Sequence, residues 1–269
     1  MSPAHISHAT TDDGPRPGEV WLVGAGPGDP GLLTLRAVAA LGAADLVLHD
    51  GLPGPAVLRY VRPGAAVIAV GKCKGAVVMP QSAITERLIE AARAGQRVVR
   101  LKGGDPFIFG RGGEEAEALS LAGIPWRVVP GVTSATAAPA AAGFPLTMRG
   151  IARSVTFVTG HDERGRLPDS VDWAALARLG GTIVAFMASS HLDEIALRLL
   201  AGGMAAATPV AIVSRATLPD QAVLRTTLGT ATLDARRAAL PTPALLVIGE
   251  VAALSNPSEI VEIARQSHG

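Results

Sequence analysis

The residues best suited to chemistry are an acid and a turn. Asp50 closes the run Leu46-Val47-Leu48-His49. A long turn follows Val98-Val99-Arg100-Leu101-Lys102 and reads Gly103-Gly104-Asp105-Pro106-Phe107-Ile108-Phe109-Gly110-Arg111-Gly112-Gly113-Glu114-Glu115. A carboxylate at a strand end can accept a proton from a bound molecule. On position alone, Asp50 reads equally well as a helix cap or a turn residue. Paired glycines let a ligand approach the backbone, and Pro106 stiffens the loop behind Asp105. Glu114 and Glu115 suit the first turn of a helix, where acids offset the positive end of the dipole. A glycine pair alone reads as an ordinary connection. Five glycines, a proline and two phenylalanines in one strand-to-helix turn read as a binding loop.

Other turns have similar character. Gly24-Ala25-Gly26-Pro27-Gly28-Asp29-Pro30-Gly31 follows an apolar run, but Asp29 stands where a dinucleotide fingerprint needs glycine. Gly71-Lys72-Cys73-Lys74-Gly75 is a glycine-flanked basic cluster, read either as an anion site or as a solvated loop. Pro130-Gly131-Val132-Thr133-Ser134 leads into alanine-rich sequence that permits close packing or the approach of a flat ligand.

Strands and helices must position these turns. Residues 19–23, 45–50, 66–70, 98–102 and 126–129 read as strands. They are separated by helical patterns, among them 32–41 and 81–94. Such alternation predicts a mostly parallel sheet covered on both faces. The pattern pauses near 143–150, which predicts a domain junction there. A second set of strands follows at 154–158, 182–187, 209–213, 221–228 and 244–248, with helices at 173–179, 192–200 and 233–239. The expected organisation is a disordered tail over 1–18, one α/β domain over 19–145, a second over 146–255, and a C-terminal tail over 256–269.

Composition narrows the function. The chain has 269 residues, is 48% hydrophobic with mean hydropathy +0.34, and carries a net charge of +1. That balance gives no electrostatic support to nucleic-acid binding. The single cysteine, Cys73, excludes an intramolecular disulfide and a zinc-binding cysteine cluster. No stretch has the length of a membrane span or the core of a signal peptide, so the expectation is a cytoplasmic protein. Among the cations only Lys72, Lys74 and Lys102 are lysines, and arginine suits planar recognition of carboxylates.

The two glycine turns, His49-Asp50 and Pro219-Asp220-Gln221-Ala222-Val223-Leu224 together resemble the tetrapyrrole methyltransferases over about residues 19 to 254. Within that family the likeness is to the uroporphyrinogen-III C-methyltransferases, particularly those of the cobalamin branch. The resemblance implies two α/β domains with mostly parallel or mixed sheets and the active site in the cleft between them, in a homodimer. It implies S-adenosylmethionine as methyl donor, S-adenosylhomocysteine as product, no metal, and a small tetrapyrrole as substrate. The methylated carbons would be C2 and C7, in cobalamin or sirohaem biosynthesis. By the same resemblance, cofactor contacts fall on Pro27, Gly103, Gly104, Asp105, Ile108, Thr133, Ser134, Met187, Ala216 and Ala244. The proton acceptor falls on Asp50 and the proton donor on Lys72. Arg111 and Arg149 are candidates for the substrate carboxylates. Cys73 and Met148 depart from the family pattern, which commonly has arginine and histidine there. A later precorrin methyltransferase acting at another ring carbon is the alternative within the class. A cofactor-holding module without turnover, a nicotinamide oxidoreductase and a Cys73 nucleophile are the competing classes; Asp50 with Lys72 speaks against the first and Asp29-Pro30 against the second.

Overall fold

The computed structural model describes residues 14–71 and 79–254. The chain divides into two compact units, one ending at Val132 and the other starting at Thr133.

The first unit is built on five parallel strands: β1 (Val20–Gly24), β2 (Leu46–His49), β3 (Ala66–Ala69), β4 (Val98–Lys102) and β5 (Trp126–Val129). Their order across the sheet is β3-β2-β4-β1-β5. Valine and leucine dominate β1, β2 and β4, which are buried along their whole length, as a doubly covered parallel sheet requires. Helix α1 (Leu35–Ala43) and the short α2 (Pro55–Leu58) pack on the face made by Trp21, Val23, Val47, Val99 and Leu101. Helices α3 (Gln81–Arg93) and α4 (Gly112–Leu121) cover the opposite face, against Val20, Leu22, Leu46, Leu48 and Val98. From β2 the chain runs outward to β3 at one edge, and from β4 it runs the other way to β5. The adjacent pair with diverging connections is therefore β2 and β4. In open α/β sheets the crevice at the carboxyl ends of such a pair is where ligands sit.

The second unit is also a five-stranded sheet, comprising β6 (Val155–Thr159), β7 (Thr182–Phe186), β8 (Pro209–Ser214), β9 (Ala222–Thr227) and β10 (Ala244–Ile248). Its order is β6-β7-β10-β8-β9, and only β6–β7 is parallel. The first sheet is parallel and the second mixed, within the mostly parallel or mixed sheets expected. Helices α6 (Trp173–Leu179), α7 (Leu192–Ala201) and α8 (Ala231–Ala238) lie over Ile183, Ala185, Ile212, Leu246 and Ile248. On the other face, α5 (Ser134–Ala141) buries Ala135 and Ala138 beside Phe144, against Val184, Ala211, Val213, Leu245 and Val247. This helix explains why the units divide earlier than the junction expected at 145/146. Its small residues fit closely on the second sheet and belong to that core.

Candidate active site

At the β2–β4 divergence, Asp50 follows the last residue of β2 and the Gly103-Gly104-Asp105 turn follows β4. A Cβ added at Gly103 would lie 2.8 Å from Leu52 Cδ1, so the loop after β2 rests against the turn after β4. Three loop backbones also meet where side chains have no room. Gly26 and Gly104 form a two-way backbone bridge, with N···O distances of 3.2 and 2.8 Å. A Cβ at Gly131 would stand 2.2 Å from Gly104 O and 2.8 Å from Gly24 Cα. The expected reason for these glycines is ligand approach. At Gly24 and Gly131 the geometry supplies another: the loops after β1, β4 and β5 touch backbone to backbone. Asp105 locks the assembly, its Oδ1 accepting from Phe107 N at 2.8 Å and its Oδ2 from Gly131 N at 3.0 Å. Pro27 and Ile108 lie half-buried in the same two loops.

Asp50 belongs to a buried ionic cluster. Its Oδ1 accepts from Arg100 Nη2, and its side chain is 26% exposed. Arg100 Nε donates to Glu115 Oε1 at 2.9 Å, Lys102 Nζ lies 3.1 Å from Glu115 Oε2, and Gln81 Nε2 donates to Glu115 Oε1 at 2.9 Å. Arg100 Nη1 also donates to Leu101 O at 3.2 Å. Positions 100 and 102 alternate on β4 and so point to one face, where α3 and α4 bring Gln81 and Glu115. Burial opposes the Arg100 charge, but Asp50 and Glu115 outweigh it and raise its pKa. Burial, then the neighbouring Arg100, lowers that of Lys102 despite Glu115. Isolated ions in such a place would be costly, and mutual pairing is what makes the cluster tolerable.

The sequence reading assigns Glu115 to the helix dipole, but the carboxylate is completely buried and serves as the hub of this cluster. Arg100, Gln81 and Glu115 are absent from the sequence-derived site. The available signal was the pair of cations at alternate positions in an otherwise apolar central strand. Lys72 and Cys73 lie outside the described residues. Arg111 caps α4 in a left-handed conformation, and its guanidinium forks onto Glu114 at 2.8 and 2.6 Å. That pair is exposed, and Arg111 lowers the pKa of Glu114.

The second unit carries the other expected cofactor contacts. Thr133 caps α5, its hydroxyl accepting from Ala135 N at 3.3 Å, and Ser134 opens that helix. Antiparallel pairing of Leu246 with Ala185 and of Ala244 with Ser214 brings Met187, Ala216 and Ala244 to one end of the sheet. Strain concentrates there. Met187 has φ 52° while 41% exposed, and Arg215 and Thr217 on either side of Ala216 have φ 48° and 67°. Left-handed backbone at residues other than glycine costs about 1–3 kcal/mol each and gathers at ligand sites. The Thr217 conformation is braced by Gln221, whose Oε1 accepts from Thr217 N at 2.7 Å and whose Nε2 donates to Ala141 O at 3.2 Å. Arg215 Nε lies 2.7 Å from Asp220 Oδ2. Ala244 also lines a cavity of about 250 Å³ with Leu192, Ile212, Leu240 and Leu246. Arg149 is exposed in the turn bridged by Met148 and Ala152.

Known proteins share this fold. The family model for Tetrapyrrole (Corrin/Porphyrin) Methylases matches residues 19–232. A uroporphyrinogen-III C-methyltransferase from Sinorhizobium sp is 50% identical over 237 residues, which is 88% of this chain and 85% of the relative. Siroheme synthase 1 of Yersinia enterocolitica is 54% identical over 87% of this chain, which spans only 49% of that longer protein. A crystal structure of uroporphyrin-III C-methyl transferase from Thermus thermophilus, complexed with S-adenyl homocysteine, is 41% identical with TM-score 0.76. The likeness covers 87% of this chain and 99% of that one. A cobalt precorrin-4 methyltransferase superposes with TM-score 0.77 at 30% identity, covering 86% of this chain and 95% of that one.

Proposed function

Because this chain belongs to the tetrapyrrole (corrin/porphyrin) methylases, we propose that it methylates uroporphyrinogen III at C2 and C7 with S-adenosylmethionine, yielding precorrin-2. The observation that carries this reading is the pairing, at the ends of adjacent diverging strands, of the Asp50 carboxylate with the Gly103-Gly104-Asp105 turn. The chain's own groups suit the methyl donor. Met187 offers a polarizable sulfur from strained, exposed backbone, and the half-buried Thr133, Ser134 and Ala216 offer small side chains and backbone groups. S-adenosylmethionine, when bound, supplies an electrophilic methyl on a sulfonium.

The protein's task is then mainly alignment. By the family resemblance, Pro27, Gly103, Gly104, Asp105, Ile108, Thr133, Ser134, Met187, Ala216 and Ala244 are the residues that would hold the donor. A pyrrole carbon that gains a methyl must be followed by loss of a ring proton, and Asp50 takes it. Arg100 fixes the orientation of that carboxylate. Lys72 is the proton donor. Arg111 can exchange Glu114 for a substrate carboxylate with its fork unchanged, and Arg149 takes another. The resemblance also carries a homodimer and a cytoplasmic location into this reading. No described helix is long and apolar enough to cross a membrane.

The test is incubation with S-adenosylmethionine and freshly reduced uroporphyrinogen III, followed by mass analysis. Two added methyl groups at C2 and C7 are expected. Methylation only of a precorrin already carrying methyl groups would move the assignment to a later step.

A further inference from the structure

The ionic cluster holds two charged residues with no part in the proposed reaction. Glu115 is fully buried and holds Arg100, and Lys102, nearly as buried, holds Glu115. Four formal charges balance: Arg100 and Lys102 against Asp50 and Glu115. Only Asp50 has appreciable exposure, so the other three face protein alone. A network built solely to hold α4 on the sheet would need neither a second cation nor an arm reaching the strand end, since apolar residues of similar volume commonly do that as well or better.

We propose that Glu115 and Lys102 are positioning residues that act on Asp50 through Arg100, fixing the guanidinium on which the carboxylate leans and tuning how readily it takes a proton. Glu115 binds Arg100 at Nε, which leaves Nη2 directed at Asp50. Lys102 engages the other oxygen of Glu115 and so limits how strongly Glu115 draws Arg100 away. Among the described residues, Arg100 of β4 touches the Asp50 carboxylate and Lys102 of β4 acts on it electrostatically, while Glu115 of α4 meets Arg100 and uncharged Gln81 of α3 meets Glu115. The His49 ring of β2 contributes too, its Nδ1 lying 2.7 Å from the Asp50 backbone oxygen. The inference rests on the reading of Asp50 as the proton acceptor.

Opposite charge changes within the cluster must move Asp50 in opposite directions. Lys102→Met removes a cation, so the acid limb of the kcat profile moves to higher pH, by about one unit. Glu115→Gln removes an anion, and the limb moves to lower pH by a similar amount, roughly one unit. The double variant keeps the cluster neutral, and its limb stays near the parent's. The clamp on Arg100 is weakened, however, since a neutral amide oxygen holds a guanidinium less firmly than a carboxylate, so kcat falls roughly ten- to hundred-fold with S-adenosylhomocysteine affinity unchanged. Following the Asp50 carboxyl carbon by NMR in the full-length single variants reads the same displacements without turnover. Displacements absent or of one sign would overturn the proposal, as would a folded double variant turning over at the parent rate. If neither single variant folds, the double decides alone. An Asp50→Asn enzyme working at the parent rate would instead remove Asp50 from the reaction, while the carboxyl signals still report the coupling.

Discussion

The guanidinium of Arg100, in the middle of β4, donates a hydrogen bond to the carboxylate of Asp50 at the end of β2. A solvated turn acid has no such anchor. The contact fixes one carboxylate oxygen while a quarter of the side chain stays open, with 26% exposure.

Asp50→Asn keeps an oxygen that can accept from Arg100 but cannot take up a proton as a carboxylate does. Turnover is expected to fall by about 10²–10⁴-fold, the usual contribution of a positioned base. S-adenosylhomocysteine affinity should hold. Single-turnover kinetics beside a thermal melt checks this. A cap or turn role would instead lower the melting temperature and leave turnover per folded molecule near the parent value.

Gly131→Ala tests the backbone junction of the three loops. The added methyl would meet Gly104 O at 2.2 Å and Gly24 Cα at 2.8 Å, backbone atoms that cannot rotate aside. Overpacking of this kind costs about 1–3 kcal/mol. Because the strain falls on Gly104, weaker S-adenosylhomocysteine binding should accompany the loss of stability. Gly113→Ala, with nothing within 4 Å, is the control and should change neither. Calorimetric titration and a melt on both variants decide it.

Much of this was legible in the sequence, for identifiable reasons. Apolar β-branched runs announced the strands of both units, because burial on a sheet selects those residues whatever the strand direction. Direction was not legible in the second unit, since a strand such as Leu245-Leu246-Val247 reads alike in parallel and antiparallel surroundings. The compact units divide at Val132/Thr133 and not at the expected 145/146, and the alanines around 135–141 carry no sign of which core they enter. Asp50 and the glycine turns stood out by residue type. Glu115 did not, because a glutamate in a first helical turn looks the same whether it faces water or a buried arginine. Only the tertiary register of α4 against β4 separates the two cases.

Gln221 braces the strained loop around Ala216 through Thr217 N and ties it to the end of α5. Gln221→Ala removes both bonds and leaves the left-handed Thr217 conformation less supported. Stability is expected to fall by about 1 kcal/mol, near the net worth of such hydrogen bonds. S-adenosylhomocysteine affinity should fall about tenfold, because a loosened loop must be ordered on binding. Unchanged affinity in a folded variant would detach this loop from the cofactor.

Asp45 ties the starts of β2 and β4. It accepts from Arg97 Nε at 3.0 Å, Arg97 Nη2 at 2.8 Å and Arg97 N at 2.9 Å, and pairs with Arg62 as well. The Arg97 side-chain hydrogen bonds, followed by the backbone bond, hold its carboxyl far below the ordinary carboxylate range; burial opposes them only partly. An acid with a depressed pKa in the folded state contributes stability in full above its unfolded value, about 3.9, and loses it as pH falls toward the folded one. Asp45→Asn should therefore be less stable than the parent by about 1–2 kcal/mol at neutral pH, given charge-assisted bonds on a partly exposed side chain. The gap should narrow as pH falls below about 4, where the parent begins to lose the same contribution. Methyl transfer per folded molecule should not change. Denaturant melts of both proteins from pH 7 down to pH 3 check the sign, and a gap that stayed constant or widened on acidification would show that Asp45 contributes by packing and not by its charge.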